Sequence, residues 1–227
     1  MTTRPRALLA FSSGKDSAWA LHVLRSAGEL DVIGLFTTVN QVHDRVAMHA
    51  VRRELLRAQA ESAGLPLWEV DIPSPCSNEE YEDAMRGLVR RALAHGVEVV
   101  AFGDLFLEDI RRYREERLKD TGLRPVFPLF GLATDALARE MIDGGLSAVL
   151  TCVDPKKLPK EFVGRRFDRE LLAALPEGVA PCGENGEFHT FVTHGPMLRT
   201  PLDVAVGPVI ERDGFVFADV DFRPPVA

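Results

Sequence analysis

Between Arg6 and Val153 the chain repeats one pattern: a short apolar run, a polar turn, then a stretch with helical spacing. The apolar runs are Arg6–Phe11, Asp31–Val39, Leu67–Ile72, Val97–Phe102 and Leu146–Val153. The helical stretches are Ser17–Ala27, Arg45–Ala63, Asn78–His95, Glu108–Lys119 and Thr134–Asp143. Runs this short and this apolar suit strands covered on both faces, and strand–helix alternation is what a parallel sheet with crossover helices requires. Gly28, Gly64 and Gly96 stop three of the helices. The expectation is an α/β fold.

The alternation fades after about Val153. Beyond it come a polar connector with Lys156, Lys157 and Lys160 beside Asp154, read as a plain soluble loop in preference to a mobile lid, and a Gly/Glu-rich segment. Two β-like runs follow, Val204–Glu211 and Phe215–Phe222, and Asp213-Gly214 between them is a strong hairpin signal. We place a soft boundary within Asp120–Pro128, dividing an N-terminal part (residues 1–125) from a smaller C-terminal α+β part (126–227). With 46% hydrophobic and 27% charged residues, the 227-residue chain is not a disordered, collagen-like or coiled-coil sequence. Its net charge of −7 argues against a broadly basic nucleic-acid surface, so stable nucleic-acid binding is not expected. The three cysteines, Cys76, Cys152 and Cys182, form no CxxC and support neither a disulfide framework nor a structural zinc site. Ala7–Phe11 is too short for a signal peptide and no apolar run reaches membrane-spanning length, so the expected location is the cytoplasm, away from membrane. Trp19 and Trp68 fall on apolar positions of a helix and a strand and are expected in the core.

Two segments can carry chemistry. Ser12-Ser13-Gly14-Lys15-Asp16-Ser17 lies between the first strand and the first helix. Small residues at a helix N-terminus expose backbone N–H groups, and these with the helix dipole favour a phosphate; Lys15 adds positive charge. The loop is not GxxxxGK[ST], so it is no Walker A sequence, and an ordinary polar turn is the plain alternative. The second segment is Cys182–Val192, CGENGEFHTFV. Glu184 and Glu187 flank a glycine-containing turn and precede His189. Such a turn can hold Mg²⁺, bind an ammonium or act as a base, and a histidine can move a proton near neutral pH. On local chemistry alone, a solvated acidic turn remains the alternative.

Phe11–Ser17 resembles the SGGKDS pyrophosphate loop of the N-type ATP pyrophosphatases, members of the adenine nucleotide α-hydrolase superfamily. Ser13 stands where the pattern has its first glycine, and a Cβ there is costly if the position needs positive φ. With CGENGEFHT downstream, the chain resembles the diphthine–ammonia ligase, or ATP-binding domain 4, family. Val99–Glu108 (VVAFGDLFLE), Arg111–Gly122 (RRYREERLKDTG), Pro128-Leu129-Phe130 and Phe162–Arg165 (FVGR) are similar to further family segments. The resemblance runs from about Ala7 to Pro196.

The resemblance implies a Rossmann-like, HUP-type parallel sheet, with ATP and Mg²⁺ as cofactors. It implies cleavage between the α- and β-phosphates, adenylation of a carboxylate, and displacement of AMP by ammonia. In eukaryotic and archaeal members the carboxylate is protein-borne, that of diphthine on elongation factor two. Carried over, Ser12, Ser13, Gly14, Lys15, Asp16 and Ser17 hold the phosphates, Thr37 and Thr38 lie by the adenine, and Gly103 leads into Asp104. Asp104 binds Mg²⁺ or orients the loop, a helix N-cap before Leu105 being its plain alternative. Glu184, Glu187 and His189 form a second wall facing the α-phosphate. Arg111 and Arg114, one helical face, turn to phosphate or an acidic substrate, or simply pair with neighbouring glutamates. His43 and His49 read as structural or exposed. No glutaminase domain or N-terminal cysteine nucleophile is visible, so free ammonia or another amine is the expected nitrogen source; a homodimer stays open. The 22 arginines against 5 lysines fit a GC-rich, more often bacterial, genome, in which diphthine would not be available. In that case the resemblance gives the reaction type and not the acceptor. The competing readings are an ATP-binding sensor of universal-stress type and a tRNA-modifying ATP pyrophosphatase. Thiolases of the latter kind usually need cysteine pairs and a basic RNA surface. Sulfonucleotide reductases, which share the loop, need a redox cysteine near the C-terminus, whereas Cys182 precedes the glutamate motif.

Overall fold

A computed structural model describes residues 3–42, 45–46 and 51–223. Four of the expected runs form strands of its first sheet, which also holds two short strands, Arg45–Val46 and Arg124–Val126, that the sequence pattern did not announce. Strand β1 (Arg6–Ala10) pairs in parallel with β2 (Asp31–Asn40) and with β5 (Val99–Ala101), β2 with β4 (Leu67–Ile72), and β5 with β6 (Arg124–Val126). A two-residue strand, β3 (Arg45–Val46), returns antiparallel on Val39 and Asn40. The chain thus builds from β1 towards β4 on one side, then crosses to β5 and β6 on the other. That reversal beside β1 opens a crevice at the carboxyl ends of β1 and β5, where open α/β sheets bind ligands.

The crossovers are α1 (Lys15–Ala27), α2 (Arg53–Ala63), α3 (Asn78–Ala94) and α4 (Glu108–Leu118). Gly28 and Gly64 end α1 and α2 in the left-handed conformation, as a helix stop requires. Ser77 and Glu80 close a reciprocal capping box at the start of α3. The helix expected over Arg45–Ala63 begins only at Arg53: Arg45 and Val46 are drawn into β3, and Arg52 is extended, its guanidinium on Asp219. Helical periodicity in the sequence cannot register a tertiary contact of that kind. His43 and His49 lie outside the described residues.

The run expected as a fifth parallel strand, β7 (Ser147–Val153), belongs to a second sheet. It follows α5 (Thr134–Asp143) and pairs antiparallel with β8 (Phe188–His194) and β10 (Phe215–Phe222); β9 (Val204–Arg212) closes the order β8-β7-β10-β9. Local pattern could not separate the two cases, because a strand buried on both faces reads alike in either sheet. A short helix, α6 (Arg169–Ala174), lies between β7 and β8. The Asp213-Gly214 turn has φ of 53° and 81°, the two positive values a tight hairpin turn wants.

One core fuses the two sheets. Trp19 and Leu21 of α1 and Leu55 and Leu56 of α2 share a buried cluster with Phe191 and Val192 of β8. The other face of the first sheet buries Phe36, Trp68 and Val100 against α3. Helix α1 is therefore held between the sheets, and its N-terminus opens at their junction.

Candidate active site

Ser12–Ser17 makes the turn from β1 into α1. The Ser12 N–H donates to Ser17 Oγ (3.2 Å) and Ser17 Oγ donates to the Gly14 carbonyl (3.0 Å), so the loop is tied internally. Ser13 has φ of 71°, the left-handed conformation that the missing glycine would take without strain. The Ser13 side chain is fully buried and its Oγ has no partner. Gly103 follows β5 and lies against the first turn of α1; a Cβ there would stand 3.0 Å from Ser17 N. A side chain there would press on the backbone of the loop, so glycine suits the close exit of β5.

Lys15 is buried rather than extended into solvent, at 2% exposure. Its Nζ donates to Asp16 (2.8 Å) and to the Cys182 carbonyl, and it lies beside the rings of Phe167 and Phe188. Burial is the largest influence and would lower its pKa, but Asp16, Cys182 and Glu184 together outweigh it and hold the pKa above the ordinary lysine value, so Lys15 is a fixed cation. Its backbone N–H donates to Thr190 Oγ1 (3.0 Å). Through Lys15 the first loop and the Cys182–Val192 segment become one structure.

In that segment Gly183 and Gly186 have φ of 66° and 78°, and a Cβ on Gly183 would stand 2.8 Å from the Phe188 carbonyl oxygen. The turn they make points its two carboxylates differently. Glu184 faces the cavity and accepts the Leu105 N–H (2.9 Å). Burial pushes its pKa up to about 7; the Leu105 bond opposes this, and Asp16 adds to it. Glu187, 3% exposed, does not line the cavity. Its Oε1 accepts from Ala180 N (3.0 Å) and Asn185 Nδ2 (3.1 Å), so it ties the turn to itself instead of facing the cleft as expected. His189 lines the cavity, but burial and then the Lys15 charge lower its pKa to about 4, so it is neutral at pH 7 and not the near-neutral proton carrier the sequence suggested.

Asp104 receives Arg114 in a two-point clamp, Nε to Oδ2 at 2.6 Å and Nη2 to Oδ1 at 3.1 Å. It is not the N-cap of α4, which is Leu107. Arg114 borders the cavity, but its guanidinium is committed to Asp104 and stacks on Phe102. Arg111 turns elsewhere: it pairs with Glu115 (2.9 Å), lies over Phe127 and Phe130, and does not line the cavity. Thr37 and Thr38 do line it, at the carboxyl end of β2. Lys157 of the connector is not a free loop residue; its Nζ donates to the Asn185 carbonyl (2.6 Å) across the turn.

The cavity so enclosed is about 570 Å³, within the usual range of small-molecule sites. Asp16 and Asp104 offer hard oxygen donors at the cavity, fitting a divalent cation shared with phosphate oxygens, which needs few protein ligands. Among the described residues no three His, Cys, Asp or Glu side chains form a ready metal cluster. The Cys182 and Cys152 thiols are each pushed up to about 12, chiefly by burial, so neither is a ready thiolate. Reasoning from charged groups missed Thr190, although it lies within the quoted GEFHT. It also missed Gln59, a polar side chain at helical spacing from Leu55 and Leu56.

The chain matches known proteins over nearly its whole length. The sequence profile of the diphthamide synthase N-terminal domain matches residues 5–125, and that of the diphthamide synthase C-terminal domain matches residues 133–217. Diphthine–ammonia ligase of Bos taurus is 27% identical over 96% of this chain and 89% of its own length, and the human protein gives the same values. The Danio rerio diphthine–ammonia ligase is 29% identical over 93% of this chain and 91% of its own. Among solved structures, a U34-tRNA thiolase from Methanococcus maripaludis carrying a 4Fe–4S cluster aligns at a TM-score of 0.39 and 14% identity, over 63% of this chain and 58% of its own. Both halves of the molecule, and the two segments that meet at Lys15, fall within the matched residues: the chain belongs to the diphthamide synthase family.

Proposed function

We propose that this protein is an ATP-dependent amide ligase that joins ammonia to a substrate carboxylate and releases AMP and pyrophosphate. The observation that carries the reading is the junction at Lys15, which puts a phosphate cradle and a titratable wall on one cavity. The carboxylate oxygen attacks the α-phosphorus of ATP and pyrophosphate leaves. Ammonia then attacks the acyl carbon, AMP leaves with the bonding pair, and one proton is lost from nitrogen. A carboxylate is a poor electrophile, and the adenylate supplies the leaving group it lacks.

The chain's own groups divide this work. The loop amides bind phosphate oxygens, and the fixed Lys15 cation beneath them makes the loop favourable to negative charge. Glu184 is the candidate proton acceptor: near neutral pH it interconverts readily between acid and base, as removal of a proton from ammonium or the adding amine requires. Neutral His189 lends a hydrogen bond rather than a charge. Asp104, fixed by Arg114, would hold Mg²⁺, which supplies neutralisation of phosphate charge when bound. Glu187 positions the turn that carries Glu184. In domain terms, residues 1–125 bind ATP and 126–227 bring the acceptor wall. No described helix is long and apolar enough to cross a membrane, and we place the reaction in the cytoplasm.

The acceptor we propose is diphthine or a carboxylate of that kind, as named for the curated relatives. Incubation with ATP, ammonium and a diphthine-bearing elongation factor should give a product lighter by about one mass unit, the change from acid to amide. Nucleotide turnover with other acids but not with this one would keep the ligase and discard the acceptor.

A further inference from the structure

Gln59 is fully buried on the apolar stripe of α2, among Leu55, Leu56, Ala60 and Ala63. Its Nε2 donates to two carbonyls, Ser13 (3.1 Å) and Val192 (2.6 Å). Two facing acceptors fix the orientation of the side-chain amide, since only its NH₂ end can serve both. Its Oε1 is left buried without a partner. A buried acceptor without a partner is costly, so apolar packing alone does not account for a glutamine here. What the residue supplies is a donor pair joining the phosphate loop to β8.

Ser13 is the residue that needs such help. Its φ of 71° is one that a side chain resists. Its carbonyl accepts from Gln59 Nε2 and also from the Val192 N–H (3.0 Å). Both bonds require the peptide orientation that follows the left-handed residue. We infer that Gln59 is a positioning residue for nucleotide binding: it braces the Ser13 carbonyl against β8 and so keeps Ser12–Ser17 in its phosphate-binding shape despite a side chain where glycine would be unstrained. The inference rests on the reading of that loop as the phosphate site.

The brace has a specific genetic signature. If Gln59 only fills space, its loss costs the same whatever residue 13 is. If it opposes the strain at Ser13, glycine at that position makes it largely dispensable. Gln59→Met keeps the volume and removes both donors. It should weaken ATP binding about tenfold by calorimetry, because a loop that leaves its competent shape lowers apparent affinity in proportion. In the Ser13→Gly background the same change should weaken binding less than about threefold. Equal weakening in the two backgrounds, or none in either, overturns the inference. Amide hydrogen exchange at Val192, measured without nucleotide, separates this from the reading of the site. Gln59→Met should speed that exchange about tenfold, and Ser13→Gly should largely reverse it. That pattern in a protein that binds no ATP would discard the phosphate reading and keep the brace, whereas unchanged exchange discards the brace. Should Gln59→Met fail to fold, Gln59→Leu removes the donor pair without adding a polar or charged group. It is read by the same two measurements and must show the same dependence on residue 13.

Discussion

The two walls of the cavity are built on different principles. The Ser12–Ser17 loop works through its backbone: Ser12 and Ser17 bond within the loop, Ser13 is buried, and Lys15 is turned down onto Asp16 and the Cys182 carbonyl. The 182–190 segment works through side chains, and a glycine turn decides which of them reach the cavity. Glu184, ahead of Gly186, reaches it; Glu187, behind it, bonds Ala180 and Asn185. Residues that look equivalent in a motif, a pair of glutamates three apart, are given separate work by one turn. The loop therefore tolerates little change at any position, while the second wall should show sharp differences between neighbours.

The largest effect is expected at the residue both walls share. Removing one partner of a buried ion pair strands the other, and Lys15→Ala also empties space between Phe167 and Phe188. With Asp16 still partly exposed, the loss should be about 3 kcal/mol of stability by urea denaturation. ATP affinity should fall by about 100-fold or more. A Lys15 variant that keeps full ATP affinity would break the account of the loop.

Next is Glu184→Gln, which keeps shape and the acceptor for Leu105 N–H. Turnover should fall about 100-fold with ATP affinity changed less than about threefold, the pattern of lost acid–base help. In the unmodified enzyme kcat should rise with pH through about 7 as Glu184 becomes a base, and the variant should lose that limb. Stability carries the opposite sign. The raised pKa means that the protonated carboxyl favours the fold below about 4.5 and that this contribution disappears as pH rises through about 7. Denaturation of the two proteins across that window reads the difference.

Glu187 sharpens the contrast from the other side. Glu187→Gln should keep turnover within about fivefold, while Glu187→Ala, which frees Ala180 N and Asn185, should lower stability by about 2 kcal/mol. A Glu187→Gln defect as large as that of Glu184→Gln would erase the division of labour. The smallest effect belongs to Arg111. Its ion pair with Glu115 is exposed and screened by solvent, so Arg111→Ala should leave the urea midpoint and ATP affinity nearly unchanged. Arg114→Ala, which releases Asp104, should weaken ATP binding measurably when Mg²⁺ is present.

Four strands of the parallel sheet were legible because each βα unit carries its own signal; β6, three residues long with Pro125 at its centre, carries too short a run to show one. The second sheet was not: β7 looks like the strands before it, and its partners β8 and β10 lie far along the chain. The site divides the same way. Strand, small-residue loop and helix announce a phosphate site locally, and the strain at Ser13 was foreseeable from the missing glycine. Which glutamate faces the cavity depends on Gly183 and Gly186 taking positive φ. The commitment of Arg114 to Asp104 depends on packing between α4 and the end of β5. The neutrality of His189 depends on burial and on Lys15. These are tertiary facts about residues whose types were already conspicuous.

The most direct test is the identity of the nucleotide product. With Mg²⁺-ATP, ammonium and a diphthine-bearing acceptor, phosphorus NMR should show AMP and pyrophosphate appearing in step with amide. ADP and inorganic phosphate in their place would contradict adenylation and with it the proposed role of the cavity.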